Sequence, residues 1–221
     1  MLFDLRSRGR RRTVQAVYLG LALLMAGGLV LFGVGTGSGI GGLLNAFTGS
    51  GSNQQSSIIS QQEKTALKQT KATPSDPNAW ANLVSARWAS ANTPGAGLVS
   101  NTSTYTTAGK KELQGVADAW QRYTQLTKNP GANTAVLAAR AYAQLGNYSG
   151  SASAWDAATV ADPSQIRSFE CLAISAYAAK QTRLGDLASA KVASMVPKAS
   201  RKTLQTQIDT AKTQPTLAQS C

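Results

Sequence analysis

The sequence predicts an all-α protein with an N-terminal transmembrane helix, a flexible linker and a domain of antiparallel helix pairs. Three observations lead to this fold class. Only 14% of the residues are charged and alanine is abundant, which is typical of closely packed helices because alanine loses no side-chain entropy in a helix. Apolar residues recur at helical rather than strand spacing from residue 58 onward. An uncharged apolar run near the start is long enough to span a bilayer.

The apolar run covers residues 13–35 and follows an Arg-rich segment, residues 1–12, with five arginines. A helix needs about 20 apolar residues to cross a bilayer, and this run supplies them. A cleaved signal peptide is the alternative, but its apolar region is shorter and ends at a small-residue cleavage site. A buried core helix fits poorly beside five arginines. We therefore interpret the run as an uncleaved signal anchor.

The arginines also predict the orientation of the chain. Basic residues next to a transmembrane helix stay in the cytoplasm, whereas a long following domain is translocated largely regardless of its charge. We therefore expect the N-terminus in the cytoplasm, one pass through the plasma membrane, and an extracytoplasmic C-terminal domain. Residues 36–57 are rich in glycine, serine and other polar residues and are predicted to be a flexible linker. Their glycines follow a membrane helix rather than a strand, unlike a phosphate-binding loop.

The net charge is +12, and about +8 remains when the five arginines and Asp4 are left out. One interpretation is a soluble surface with basic residues spread around it. The alternative is a basic ectodomain that binds anionic lipid or a cell-wall polymer. Nucleic acid is not an expected partner, because the basic residues outside the start form no run and accompany no aromatic-rich motif.

Prolines divide the predicted helical domain, residues 58–213, at regular intervals. Pro130, Pro163 and Pro197 are 33 and 34 residues apart, a period that marks stacked helix–turn–helix units. In the clearest unit the first helix is expected to stop near Gly146, because glycine tolerates the left-handed cap conformation. Asp162 and Pro163 then end its second helix.

This unit resembles a tetratricopeptide repeat (TPR). The matching residues are Ala139, Tyr142, Gly146, Tyr148, Trp155, Ala158 and Pro163, while Ser151 stands where the family usually has alanine. The resemblance covers about residues 76–213 and implies a short TPR-like α-solenoid. With its Arg-rich anchor, the chain is similar to membrane-anchored bacterial envelope repeat proteins.

The remaining units are less regular. A first unit begins near Asp76, but residues 92–110 form an insertion much longer than the family's short turn, either a mobile loop or a site of specific contact. A terminal helix over residues 200–213, with a polar outer side, is expected to cover the last apolar face. Residues 214–221 are predicted to be a flexible tail.

The resemblance implies a scaffold that binds other proteins in a groove lined by the first helices. Carried over by position, the predicted groove residues are Asn133, Arg140, Gln144, Asn78, Ser85 and Trp88. Trp88 can equally belong to the core. Arg167 is ambiguous, because the proline-based and tyrosine-based alignments of its unit differ by one residue. The partners implied are other envelope or exported proteins, in envelope assembly or protein translocation.

No enzyme activity, cofactor or metal is expected. The chain contains no histidine, which excludes the usual histidine-assisted nucleophiles and histidine metal sites. Cys171 is interpreted as a small apolar helix residue, with a disulfide to Cys221 as the alternative on an oxidising face of the membrane. Small residues Ala22 and Ala26 in the anchor are compatible with a homo-oligomer.

Overall fold

The computed structural model describes residues 52–221, with side chains from residue 56 onward. This part of the chain forms eight α-helices and a short 3-10 helix, and it contains no β-strand. The helices are α1 (Ser52–Ala72), α2 (Pro77–Ala91), α3 (Thr107–Leu126), α4 (Ala132–Gln144), α5 (Tyr148–Ala161), α6 (Ile166–Ala178), α7 (Thr182–Met195) and α8 (Lys198–Thr210), followed by the 3-10 helix Pro215–Ser220. The all-α prediction is confirmed for this part.

The predicted Arg-rich segment, the transmembrane helix at 13–35 and most of the linker lie outside the described residues. Among the helices that are described, none combines the length and the apolar composition needed to cross a bilayer. The linker was predicted to extend to residue 57, whereas α1 already begins at Ser52. The first two turns of α1 are polar, so they lack the apolar periodicity that would have revealed a helix.

The 92–110 insertion forms an ordered loop, and its last four residues already belong to α3. Thr106 caps α3 by accepting a hydrogen bond from the amide of Gly109 at 3.0 Å, and its hydroxyl donates to the main-chain oxygen of Ala96 at 2.6 Å. The hydroxyl of Tyr105 donates to the side chain of Asn92 at 2.9 Å. The loop is therefore held by contacts of its own and closes back on the end of α2.

Helices α4 and α5 are followed by α6 and α7 at a fixed spacing of 34 residues, both at their first and at their last residues. The turn after each first helix is also the same. Gly146 has a φ of 75° and Lys180, 34 residues later, has a φ of 60°. Glycine adopts this left-handed conformation freely, whereas lysine adopts it at a cost. The spacing of the helices agrees with the proline spacing in the sequence.

Small interior side chains let neighbouring helices approach closely. Each helix packs against the next, and in addition α2 packs against α4 and α6 against α8. Trp155 is 1% exposed and fills the core among many buried alanines. The residue that departs from the repeat pattern, Ser151, lies with no exposed surface 3.0 Å from the hydroxyl oxygen of Ser175. The serine therefore forms a buried hydrogen bond between α5 and α6.

Helix α8 covers the last helix pair, as the terminal helix predicted over residues 200–213 was expected to do. Ile208 is its buried anchor. After α8, the ammonium group of Lys212 lies 4.4 Å from the ring centroid of Tyr177, whose hydroxyl donates to the Asp186 carboxylate at 2.7 Å. Burial and this hydrogen bond raise the pKa of Tyr177 to about 12. The tyrosine thus stays a protonated donor at neutral pH.

The end of the chain differs from the sequence-based expectation. Residues 214–221 were predicted to be a flexible tail, but Pro215–Ser220 form a 3-10 helix that packs against α6 and α4. Cys171 was interpreted as an unpaired apolar residue, but it forms a disulfide with Cys221, their Cα atoms 5.6 Å apart. The pairing depends on two segments that are 50 residues apart in sequence, and local sequence carries no information on such an approach.

Candidate protein-binding groove

The terminal segment, residues 215–221, lies against α4 and α6, which are the first helices of the two regular pairs. We call the surface that contacts it the groove. The groove is formed by Arg140 and Gln144 of α4 and by Arg167 and Cys171 of α6. Both α4 residues belong to the set that the sequence predicts.

Three side chains of the groove donate hydrogen bonds to three consecutive main-chain oxygens of the terminal segment. The donor–acceptor distances are 3.0 Å for Arg140 to Cys221, 2.8 Å for Gln144 to Gln219 and 3.2 Å for Arg167 to Ser220. Every residue offers a main-chain oxygen, so these contacts do not depend on which side chains the segment carries. The two guanidinium donors are charged, which strengthens their hydrogen bonds.

The terminal segment buries one edge and exposes the other. Ala218 is 1% exposed and Cys221 is 7% exposed, whereas Gln219 and Ser220 face solvent. A 3-10 helix has three residues per turn, so residues three apart lie on the same edge. Leu217 is half-buried and packs against the core. The groove therefore accepts small or apolar side chains on one edge of a 3-10 turn.

The charge of the groove is positive. The guanidinium group of Arg167 forms an ion pair with Glu170 at 3.0 Å, and its side chain is 52% exposed. An exposed pair of this kind contributes little to stability. Among the described residues Arg140 forms no ion pair, so its charge interacts with the main-chain oxygen of Cys221. The groove thus favours partners that present main-chain oxygens or negative charge.

The other predicted groove residues lie outside this contact. Asn133 is exposed in the first turn of α4, and Asn78 and Ser85 are exposed on α2. Trp88 is half-buried and packs against the core, which agrees with the alternative that it belongs there. Within the described part of the chain, α2 donates no hydrogen bond to the terminal segment. Of the predicted set, the structure therefore brings together only Arg140 and Gln144.

Two functional features were missed or left ambiguous by the sequence. The 34-residue spacing of α4 and α6 places Arg167 at the position in α6 that corresponds to Asn133 in α4. The terminal segment itself was not predicted as an occupant of the groove. The signal that could have found it is the pair of cysteines, since a chain with two cysteines on an oxidising face of the membrane commonly pairs them.

A separate group of charged side chains joins α1, α2 and α3. Arg87 Nε lies 3.9 Å from Glu63 Oε1, and Ser90 donates to the other Glu63 oxygen at 3.0 Å. Burial raises the pKa of Glu112, and the neighbouring Glu63 carboxylate raises it further. The folded chain therefore favours the protonated form of Glu112 more than the unfolded chain does. Among the described residues, no group of three or more cysteine, aspartate or glutamate side chains could hold a metal ion.

Comparisons with known proteins assign no family to the chain. No protein-family model matches it, and no curated protein matches it.

Proposed function

We propose that this chain is a single-pass membrane-anchored scaffold whose extracytoplasmic, TPR-like domain binds segments of other envelope or exported proteins. Envelope assembly or protein translocation is the process in which we expect it to act. The 34-residue spacing of the helix pairs supports the TPR-like architecture. Catalysis, a cofactor and nucleic-acid binding form no part of the proposal, since the chain has no histidine and its acidic residues are scattered.

The contact between the groove and the terminal segment carries this proposal. Three groove side chains donate hydrogen bonds to three consecutive main-chain oxygens. The side chains of Gln219 and Ser220, between the buried Ala218 and Cys221, remain exposed. A surface that holds a peptide through its backbone suits a scaffold that recognises short segments of partner proteins. Arg140 and Gln144 stand at positions that the TPR resemblance assigns to partner binding.

The disulfide supports an extracytoplasmic location. Structural disulfides persist in oxidising compartments and are rare in the cytosol, where thiols are kept reduced. Cys171 and Cys221 form such a bond, and both are buried. Together with the predicted signal anchor, this favours a domain on the outer side of the plasma membrane.

The proposal is tested by photo-crosslinking in cells. A crosslinking amino acid is placed at Asn133 on α4 or at Asn78 on α2, two exposed residues that the TPR resemblance assigns to partner binding and that the terminal segment leaves uncovered. The matched control is Val160 on α5, a second helix of a pair, which is 76% exposed. We expect one dominant protein to be captured from α4 or α2 and not from α5. The same set of proteins from all three positions, or none from any, would contradict the proposal.

A second candidate is binding to anionic lipid or a cell-wall polymer. Lys64, Lys68 and Lys71 follow one another on α1 at spacings of four and three residues and are all exposed, so they share one face of the helix. Such binding would weaken steeply with salt, whereas capture in the groove would weaken less. Capture of one protein at equal yield in low and high salt would argue against this candidate.

A further inference from the structure

We propose that the terminal segment is an intramolecular ligand, and that the groove takes a segment of another protein only after the Cys171–Cys221 disulfide is reduced. This inference rests on the proposed function, because it names the ligand class of the same groove. The ligand class is a short 3-10 turn with small or apolar residues three apart. The occupant of the groove in this structure has that form.

The terminal segment is attached to the domain in the manner of a tethered peptide. Ala211 is buried at the end of α8, but the connection formed by residues 212–214 is exposed throughout. Buried side chains reappear only at Ala218 and Cys221. The segment is therefore anchored at its far end, in the groove, by contacts that a separate peptide of the same sequence could also make.

The groove contacts are the kind that can be exchanged between ligands. All three hydrogen bonds end on main-chain oxygens, which a partner segment also offers. The buried edge needs only a side chain as small as that of Ala218 and a second small residue at the position of Cys221. A partner therefore needs no close sequence match to replace the terminal segment.

The disulfide prevents this exchange while it is intact. Cys171 has no exposed surface and lies within α6, so the bond fixes the last residue of the terminal segment at the floor of the groove. After reduction the segment is still tethered through residues 212–214, but its release from the groove becomes reversible, so a partner segment can compete with it. Only the reduced chain can release the segment and bind a partner there.

Opening requires a dithiol reductant. Its two thiols become a disulfide, and its two electrons and two protons leave Cys171 and Cys221 as separate thiols. Cys221 is 7% exposed and Cys171 has no exposed surface, so we assign the first attack of the thiolate to the sulfur of the more accessible residue, Cys221. Cys171 is then the leaving thiolate, and it takes up a proton inside the groove.

The test uses a labelled peptide with the sequence of residues 214–221 and serine in place of the cysteine, so that it cannot form a mixed disulfide. Fluorescence anisotropy measures its binding to the full 221-residue chain in the oxidised form, after reduction with dithiothreitol, and as the reduced Cys221→Ala variant. We expect no saturable binding to the oxidised chain, and saturable binding both to the reduced native chain and to the variant.

Peptide variants identify the binding mode. Replacement of the peptide alanine that corresponds to Ala218 by glutamate is expected to abolish binding, because that position is buried. Replacement of the glutamine that corresponds to Gln219 by alanine should leave affinity unchanged within twofold, since only its main-chain oxygen is used. Equal binding to the oxidised and reduced chains would overturn the inference, as would an absence of binding to a reduced chain that keeps its helical circular-dichroism spectrum.

The outcomes separate this inference from the proposed function. If a partner is captured in cells equally by the native chain and by Cys221→Ala, the scaffold proposal stands, but the inference that the disulfide controls access to the groove fails. If the peptide binds as expected but crosslinking captures no protein, the terminal segment is a ligand of the groove and the scaffold proposal fails.

Discussion

Ser151 of α5 and Ser175 of α6 share a hydrogen bond of 3.0 Å between their hydroxyl oxygens, and neither has any exposed surface. A buried hydroxyl that loses its partner costs about 1–3 kcal/mol, whereas removal of both hydroxyls is nearly neutral. The two serines are therefore coupled.

We expect Ser151→Ala and Ser175→Ala each to lower the free energy of unfolding by about 1–2 kcal/mol. The double variant should lose less than the sum of the single variants. Urea denaturation of the four chains gives the coupling energy directly. Strict additivity would show that the two hydroxyls do not depend on each other.

Lys180 occupies a left-handed position that Gly146 occupies in the preceding pair. The left-handed conformation costs a residue with a Cβ roughly 1–2 kcal/mol. Glycine avoids this cost but loses more conformational entropy on folding, which offsets part of the gain. We expect Lys180→Gly to raise the stability by about 1 kcal/mol and Gly146→Ala to lower it by a similar amount. Denaturation midpoints measured side by side test the pair. A loss of stability in Lys180→Gly would contradict the argument.

Reduction of the disulfide, or Cys221→Ala, is expected to lower stability. The bond closes a loop with a sequence separation of 50 residues, for which the chain-entropy model gives roughly 4 kcal/mol. Thermal unfolding with and without dithiothreitol measures the loss in the native chain. Cys221→Ala is the control, because the reductant should leave its melting temperature unchanged.

Arg140→Ala is expected to loosen the terminal segment without unfolding the helices. The arginine holds the main-chain oxygen of Cys221, and its loss leaves the disulfide as the main attachment of that residue. Hydrogen exchange should accelerate over residues 217–221 and stay unchanged in α5. Arg122→Ala is the matched control, since the Arg122 side chain bonds only a neighbouring glutamine on the same exposed helix face. Equal exchange in both variants would show that Arg140 does not hold the segment.

The group of charged side chains around Glu112 predicts a pH dependence. Burial raises its pKa above 4.5 in the folded chain, so folding favours the protonated form. The contribution of Glu112 protonation to the free energy of unfolding is fully present below pH 4.5. It is lost as the pH rises through the pKa of Glu112 in the folded chain. We expect the difference in stability between Glu112→Gln and the native chain to shift in favour of the variant from pH 4 to pH 7.

Urea midpoints across that range measure the difference. The groups that face Glu112 are Glu63, Arg87 and Lys111, and they are the same in both chains. Carboxylates with a lowered pKa, such as Asp209 beside Lys212, have the opposite dependence and cancel in the comparison. A constant difference from pH 4 to pH 7 would show that Glu112 titrates normally.

Short-range patterns made the helix pairs predictable. Gly146, the prolines and the small residues act within one helix or one turn, so their meaning can be read without knowledge of the rest of the chain. The spacing of the repeat units also made it possible to predict that α4 lines the groove. Lys180 gave no such signal, because lysine does not normally end a helix in the left-handed conformation.

Long-range contacts account for what the sequence could not predict. The terminal segment has too few apolar residues to suggest a buried edge, and its position depends on α4, α6 and the disulfide together. The order in the loop before α3 likewise depends on hydrogen bonds that span up to 13 residues. Such contacts become visible only when the helices are assembled.

The disulfide has a consequence for how the chain responds to proteolysis. Residues 171–221 form a closed covalent ring that contains α7, α8 and the terminal segment. Lys198, Arg201 and Lys202 offer exposed trypsin sites within this ring. A single cut at any of them opens the ring but releases no fragment, so the clipped molecule gains only the mass of one water until the sulfur–sulfur bond is broken.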